Sequence, residues 1–379
     1  MITEYGVNTF IDGGALGFDT IAAETVIEMR EKYPQTELWT DSFHIDDHAY
    51  GLTQGITGIT TSPTWVSRML CNEEGREHAL VLRELQRQHP EYNEQEMIWA
   101  WTLEIGETQE QHSASALGAG KSEAGAISRF RHPFMITAIR QKMVRMAEEV
   151  NSCGPNMQVK IPSTKEGIKA MEEATFKGIS VMATVCFSVD QAIAAAEAIE
   201  CGMKRRTEQG LSNDGLNPVC AVLLGMQEDW LKSYAESKDI VVHPDALPWC
   251  GVAICKEVYR IFKERGYKTR VLTAYYRHQL HWSEFIGGDI IMTIPTKWQK
   301  RFANCDVEIK DYMSEAVAED KLEQLYKLTP FVQAYTEGSF TEDDFNSFGP
   351  VILTIRYFTE EYEKAVHKVR DILLPNPIR

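Results

Sequence analysis

The chain has 379 residues, of which 44% are hydrophobic and 25% charged, a composition typical of a folded protein with one large α/β domain or two modest ones. The net charge of −16 argues against non-specific binding to nucleic acid, and no run of about 18 apolar residues predicts a membrane span. The eight cysteines form no CxxC pair, and the first residues lack the pattern of a secretory signal. We therefore expect a cytoplasmic protein with reduced thiols.

Short apolar runs recur along the chain, and most precede a segment with the apolar spacing of a helix. The predicted strands are Glu37–Thr40, Gly55–Thr61, Trp99–Ile105, Gln158–Ile161, Ile179–Phe187, Pro218–Gly225, Thr269–Tyr276 and Asp289–Ile294. The predicted helices between them are Arg76–Gln88, Ile136–Val150, Lys165–Phe176, Val189–Ile199 and Gly251–Arg265. This alternation predicts an α/β fold, a (β/α)8 TIM barrel, with an open doubly wound sheet as the alternative.

The alternation spans residues 37–298, the predicted barrel. Residues 1–36 are predicted to form an N-terminal helical extension and residues 299–379 a C-terminal helical extension. That last segment could pack on the barrel or mediate contacts in a homo-oligomer. Residues 106–133 are rich in Ala, Gly and Ser and follow the third predicted strand, so we expect a lid over the active face.

A lysine near the end of the fourth predicted strand is the first candidate for chemistry. Lys160 precedes Pro162, which ends the strand, and Thr164, which can cap the next helix. Burial at a strand end would lower the pKa of the ammonium and leave a neutral amine able to attack a carbonyl. The alternative is a lysine whose stem packs while its head reaches solvent.

Two carboxylates are predicted at or near strand ends, and a threonine inside the fifth strand could hold a water for proton transfer. Asp41 follows the first strand, Glu104 lies on the third, and Thr184 lies on the fifth. In a barrel the C-terminal ends of the strands meet at one mouth. An amine beside two carboxylates suits Schiff-base aldol chemistry, in which one carboxylate moves protons and the other takes a hydroxyl proton as a C–C bond breaks. This chemistry needs no metal or other cofactor, and we expect none. The alternative for each residue is a structural role, such as an ion pair.

The ordered series of motifs resembles the transaldolase family of class I aldolases. The similar segments are Leu38–Asp41, Gly58–Thr64, Leu103–Ile105, Val159–Ile168, Gly178–Ala192 and Tyr259–Arg277. The resemblance implies that Lys160 forms the Schiff base with Asp41, Glu104 and Thr184 as its catalytic partners. It also implies that Arg277 is a phosphate-binding arginine.

The substrate-holding positions depart from the pattern of that family. The predicted substrate-binding residues are Thr61, Ser62, Met182, Ala221, Met226, Tyr275 and Arg277. Ser62 and Met182 stand where the family has asparagines, Ala221 and Tyr275 where it has serines, and Met226 where it has a second phosphate-binding arginine. Loss of a bidentate arginine removes a strong contact to phosphate.

The expected function is therefore that of a transaldolase-like enzyme, which forms a lysine Schiff base and cleaves or transfers a C–C-bonded unit. Its partner would be a small-molecule carbonyl compound, a sugar phosphate or a related substrate. Two alternatives remain at this stage. One is an aldolase for a non-standard, unphosphorylated carbonyl compound, and the other is a non-catalytic barrel with a binding or scaffold role.

Overall fold

Short buried strands form a parallel sheet at the centre of the protein. The computed structural model describes residues 26, 28–42, 44–71, 75–117, 126–130 and 140–375. The strands are β1 (Glu37–Asp41), β2 (Gly58–Thr60), β3 (Ala126–Phe130), β4 (Met157–Pro162), β5 (Val181–Cys186), β6 (Val219–Leu223), β7 (Arg270–Ala274) and β8 (Ile291–Ile294). Neighbours in the chain pair in parallel, and β8 pairs in turn with β1, so the sheet curls on itself. The fold is α/β and TIM-barrel-like.

Helices follow most strands, and several more succeed the last one. They are α1 (Ile45–Thr53), α2 (Pro63–Cys71), α3 (Gly75–Gln88), α4 (Glu94–Leu117), α5 (Arg140–Asn151), α6 (Lys165–Phe176), α7 (Val189–Glu208), α8 (Leu224–Ser237), α9 (Trp249–Arg265), α10 (Leu280–Ser283), α11 (Thr296–Ala303), α12 (Glu319–Leu325), α13 (Thr329–Tyr335), α14 (Glu342–Phe345) and α15 (Gly349–Leu373). A 3-10 helix spans Pro244–Ala246. Residues 28–32 before β1 are also helical, and the rest of the predicted N-terminal helical segment up to residue 25 lies outside the described residues.

The prediction of a third strand at Trp99–Ile105 was wrong, because this run lies inside the long helix α4. Asn93 begins that helix: its side chain accepts from two backbone N–H groups of the first turn, while Glu96 accepts from the Asn93 backbone. This reciprocal pair is a capping box, a strong start signal for a helix. Trp101 is fully buried on the inner face of α4. The third strand of the structure is β3.

The predicted lid at residues 106–133 also needs correction. Its first part, up to residue 117, continues helix α4, and residues 126–130 form β3. Residues 118–125 and 131–133 lie outside the described residues.

The loop after β4 shows why the sequence turns directly from strand to helix. Thr164 caps α6, because its hydroxyl accepts from the backbone N–H of Gly167 at 3.1 Å. A Cβ atom at Gly167 would lie 1.8 Å from the carbonyl oxygen of Pro162. A glycine is therefore required where the helix passes the strand end. This tight turn holds the end of β4 in place.

Helix α15 packs against β5 and four other helices, and it contributes to a second apolar cluster formed mainly by helices. It contacts α2, α3, α4, α8 and β5. The buried residues of the second cluster are Val66, Met69, Leu70, Leu82, Leu85, Met97, Ile98, Trp101, Tyr362, Ala365 and Val369. The C-terminal segment thus joins the helices that follow β2 to the end of β5. No helix in the described part of the chain is long and apolar enough to cross a membrane.

Truncation of Leu70 should show how much this second cluster contributes to stability. Leu70 is fully buried between α2 and its neighbours, so Leu70→Ala should lower the free energy of unfolding by about 2–5 kcal/mol. Leu80 on α3 is 67% exposed, and Leu80→Ala should change the free energy of unfolding by at most about 0.5 kcal/mol. Urea unfolding followed by circular dichroism measures both. Equal midpoints for the two variants would show that the cluster does not stabilise the fold.

Candidate active site

Lys160 carries the buried amine of the candidate site. It lies on β4 and is 9% exposed, and its Nζ donates to the backbone carbonyl oxygen of Thr61 at 2.8 Å. Burial lowers the pKa of the Lys160 ammonium to about 8, while the negative charge of Asp41 opposes this shift. At pH 7 roughly a tenth of the amine is then neutral, compared with well under a thousandth for an ordinary lysine. Such an amine can act as a nucleophile.

Asp41 ends β1 and lies close enough to Lys160 for their charges to interact. Its Oδ1 accepts from the Thr60 hydroxyl at 3.0 Å and from the Trp65 indole N–H at 3.2 Å. The hydroxyl of Thr60 also lies 2.6 Å from that of Thr293 on β8. Burial raises the pKa of Asp41, and Lys160 and these two hydrogen bonds lower it. A carboxyl held in this way can exchange a proton close to the amine.

Thr184 lies near the end of the neighbouring strand β5, where it pairs with Pro162. Its side chain is 5% exposed. The next residue, Val185, has a positive φ of 55°, and the pairing between β5 and β6 shifts just after Ala183. In the regular β4–β5 register Thr184 lies two pairs further along than Met182, which pairs with Lys160. Thr184 is therefore on the same edge of the sheet as the lysine.

Glu104 does not lie at a strand end. It lies on helix α4 and is exposed. Partial desolvation of its carboxyl, together with the negative charges of Glu107 and Glu84, raises its pKa. On the adjacent strand β3 the residue that pairs with Lys160 is Phe130. No carboxylate occurs within β3, residues 126–130. The structure thus brings together three of the four predicted catalytic residues and leaves Glu104 outside.

The predicted substrate-binding residues fall into two groups. Thr61 and Met182 contact the Lys160 position, because the Thr61 carbonyl oxygen accepts from Lys160 and Met182 pairs with it, and Ala221 is buried on β6. Ser62 and Tyr275 lie further out, and the Ser62 side chain is within hydrogen-bonding reach of the Tyr275 hydroxyl. Thr61, Ser62 and Tyr275 therefore follow strand ends, whereas Met182 and Ala221 lie within β5 and β6.

Arg277 and Met226 have partners within the protein. Arg277 donates from Nε and Nη2 to one carboxylate oxygen of Asp229, at 3.2 and 3.0 Å, and from Nη1 to the carbonyl oxygen of Tyr276 at 3.1 Å. The side chain of Arg277 is 40% exposed. The Met226 sulfur accepts from the hydroxyl of Thr354 on α15 at 3.4 Å. The arginine predicted to bind phosphate is thus paired with a carboxylate at the surface.

Helix α15 supplies contacts that sequence reasoning missed. The ring of Phe358 lies 6.4 Å from that of Tyr275, centroid to centroid, and Thr64 donates to the hydroxyl of Tyr357 at 3.3 Å. Trp65, which holds Asp41, was missed as well. Trp65 follows the Thr-Thr-Ser-Pro-Thr segment directly, which was a usable signal, whereas the approach of α15 depends on tertiary packing alone.

A sequence model of the family described as Transaldolase/Fructose-6-phosphate aldolase matches residues 38–343.

The chain belongs to this family.

Curated relatives in the transaldolase family agree. The chain is 26% identical over 263 residues to a probable transaldolase of Pelotomaculum thermopropionicum, covering 69% of this chain and 86% of the relative. A probable transaldolase of Carboxydothermus hydrogenoformans is 24% identical over 263 residues, covering 69% and 87%. A transaldolase of Photorhabdus laumondii is 27% identical over 155 residues, covering 41% and 42%. The family predicted from the motifs is confirmed, and with it the class, an enzyme of transaldolase type.

The reactivity of Lys160 should rise as the pH passes through about 8. Only the neutral amine attacks a carbonyl, so imine formation should increase up to that pH and level off above it. In Asp41→Asn the charge that raises the Lys160 pKa is gone, and the rise should move to lower pH. Intact-protein mass spectrometry after borohydride reduction across the pH range measures the profile.

A matched carboxylate serves as the control for this pH profile. Asp47 on α1 accepts a hydrogen bond from Ser42, and Asp47→Asn should leave the profile of Lys160 unchanged. A wild-type profile that keeps rising beyond about pH 10, as for a solvated lysine, would contradict the lowered pKa.

Proposed function

We propose that this protein is a transaldolase-like aldolase that forms a Schiff base between Lys160 and a ketose or related carbonyl substrate. The observation that carries the proposal is the buried Lys160 amine on β4, with a pKa of about 8, close to the carboxyl of Asp41 at the end of β1. We further propose that residues 37–298 form the catalytic (β/α)8 barrel and that residues 1–36 and 299–379 are extensions of it. The barrel arrangement supports catalysis because it fixes side chains from several strands at one mouth.

The first step is attack by the neutral Lys160 amine on the substrate carbonyl carbon. A C–N bond forms, and the C=O π electrons move to oxygen, which takes up a proton while nitrogen loses one. This hydroxyl takes up a second proton from solvent and leaves as water, while the nitrogen lone pair forms the C=N bond of the protonated Schiff base. In this scheme a water held by the Thr184 hydroxyl carries the protons. Glu104 has no part in the scheme, because it is exposed on α4 rather than at the mouth.

The second step breaks the C–C bond. Asp41 takes the proton of the hydroxyl beside the bond, an aldehyde leaves, and the bonding electron pair moves to the Schiff-base nitrogen to give an enamine. The raised pKa of Asp41 suits it to accept this proton near neutral pH. The enamine carbon then attacks an acceptor aldehyde, which gives transfer, or takes a proton, which gives cleavage. Water finally hydrolyses the Schiff base and frees Lys160.

Two classes of substrate are candidates for this site. A sugar phosphate fits the family and the presence of Arg277 near the mouth. The pairing of Arg277 with Asp229 and the packing of Met226 against α15 favour a less charged compound as the second candidate. A substrate panel should therefore contain phosphorylated and unphosphorylated carbonyl compounds of equal chain length.

Reductive trapping tests the Schiff base directly. Wild-type protein incubated with fructose 6-phosphate, fructose, dihydroxyacetone phosphate or dihydroxyacetone and then reduced with borohydride should gain the mass of one adduct. Lys160→Ala should gain none, because no other described lysine is predicted to be both buried and at the mouth. Lys165→Ala is the control, since Lys165 is exposed and pairs with Asp343, and it should trap like the wild type. Trapping that persists in Lys160→Ala would overturn the assignment, and no adduct at all would favour a binding role.

Removal of Asp229 should reveal whether Arg277 contacts phosphate. In Asp229→Ala the guanidinium loses its carboxylate partner, so KM for phosphorylated substrates should fall about two- to fivefold, the range expected for an exposed ion pair. KM for the unphosphorylated counterparts should not change. Glu236→Ala on the same helix is the control for a general loss of negative charge. An equal effect on both substrate types would show that Arg277 does not bind phosphate.

A further inference from the structure

Two successive tyrosines at the end of β7 have different surroundings. The hydroxyl of Tyr276 lies 2.6 Å from the Thr273 hydroxyl and 3.2 Å from its carbonyl oxygen, and Tyr276 is 1% exposed. Its hydroxyl is therefore satisfied by Thr273 of β7. The hydroxyl of Tyr275 instead lies within hydrogen-bonding reach of the Ser62 side chain, which follows β2. Since β8 and β1 lie between β7 and β2, the ring of Tyr275 extends across the mouth.

The backbone at Tyr275 is held in an unusual conformation. Tyr275 has a positive φ of 62°, which bulky residues rarely adopt. Its carbonyl oxygen accepts from the backbone N–H of Gly225 at 2.7 Å, and a Cβ atom at Gly225 would lie 2.2 Å from that oxygen. The close approach of these two strand ends therefore requires a glycine. Strained positions of this kind concentrate at functional sites.

The position of Tyr275 is also fixed from the opposite side. Phe358 of α15 packs 6.4 Å from its ring, with a tilt of 46° between the ring planes. Ser62 directly follows Thr61, whose carbonyl oxygen holds the Lys160 amine at 2.8 Å. The Tyr275 hydroxyl is thus near Ser62, the residue next to Thr61, which anchors the Lys160 amine. Its charge environment includes Asp41 as well.

We propose that Tyr275 is a catalytic residue, whose hydroxyl donates a hydrogen bond to the substrate carbonyl oxygen while Lys160 attacks. This inference rests on the proposed Schiff-base function. The oxygen gains negative charge as the C–N bond forms, and a fixed donor stabilises that charge. Burial and the charge of Asp41 raise the pKa of Tyr275, so its phenol stays protonated at neutral pH and remains a donor. The ligand recognised is the oxygen of a ketone or aldehyde.

The test is the variant Tyr275→Phe, which removes the hydroxyl and keeps the ring against Phe358. Imine formation with dihydroxyacetone and with fructose 6-phosphate is quenched by borohydride at timed intervals and followed by intact mass. The initial rate of adduct formation should fall about 10²–10³-fold, as when one donor to a developing oxyanion is lost. The melting temperature should stay within a few degrees of the wild-type value.

The adjacent tyrosine provides the matched control. Tyr276→Phe removes a buried hydroxyl that is bonded only within β7, so it should lower the melting temperature and leave the rate of adduct formation near that of the wild type. A pH series separates two explanations for a slow Tyr275→Phe variant. A missing donor slows the reaction at every pH, whereas a disturbed Lys160 would recover its rate at high pH.

The outcomes distinguish this proposal from the function on which it rests. Wild-type trapping with an unchanged rate in Tyr275→Phe, or with a rate that recovers at high pH, would overturn the role of Tyr275 and leave the Schiff base intact. Absence of any wild-type adduct would overturn both. Slow trapping in Tyr275→Phe at all pH values, with normal trapping in Tyr276→Phe, would establish the donor.

Discussion

The candidate site depends on a lysine amine that is kept out of water beside a carboxyl group. Burial alone would drive Lys160 to its neutral form and Asp41 to its protonated form, and the attraction between their charges opposes both shifts. The balance leaves the pKa of Lys160 near 8, where neutral and charged forms are both populated. Hydrogen bonds from Lys160 to Thr61, and to Asp41 from Thr60 and Trp65, are needed because unpaired buried charges are costly.

Holding these groups requires distortion at the strand ends. Val185 after Thr184 and Tyr275 after β7 both adopt a positive φ, at a cost on the order of 1–3 kcal/mol each. The parallel sheet tolerates this because neighbouring backbone groups fix the distorted residues, as the N–H of Gly225 does for the carbonyl of Tyr275. A loop without such support would relax to ordinary dihedral angles and lose the geometry of the site.

The sequence predicted most of the sheet, since alternating apolar runs and helical spacing identified seven strands close to their observed bounds. The third strand failed because a short apolar run does not distinguish a strand from a buried helix. Asn93 and Glu96, the capping box of α4, were the overlooked signal. The wrong prediction that Glu104 lies at a strand end follows from the same error, because Glu104 is exposed on α4. The contact of Phe358 with Tyr275 could not have been predicted, because it joins residues that are distant in the chain and share no local pattern.

Helix α15 lies outside the part of the chain that matches the family. The family match ends at residue 343, before helix α15 begins at Gly349. Yet α15 places Phe358 against Tyr275 and Thr354 against Met226, two positions that the sequence resemblance predicts to depart from the family pattern. Large residues at those two positions pack against a helix from outside the matched region, so neither side could change alone without leaving a cavity or a clash. We therefore expect any change of substrate preference to involve paired changes in these loops and α15, while Lys160 and its carboxyl partner stay in place.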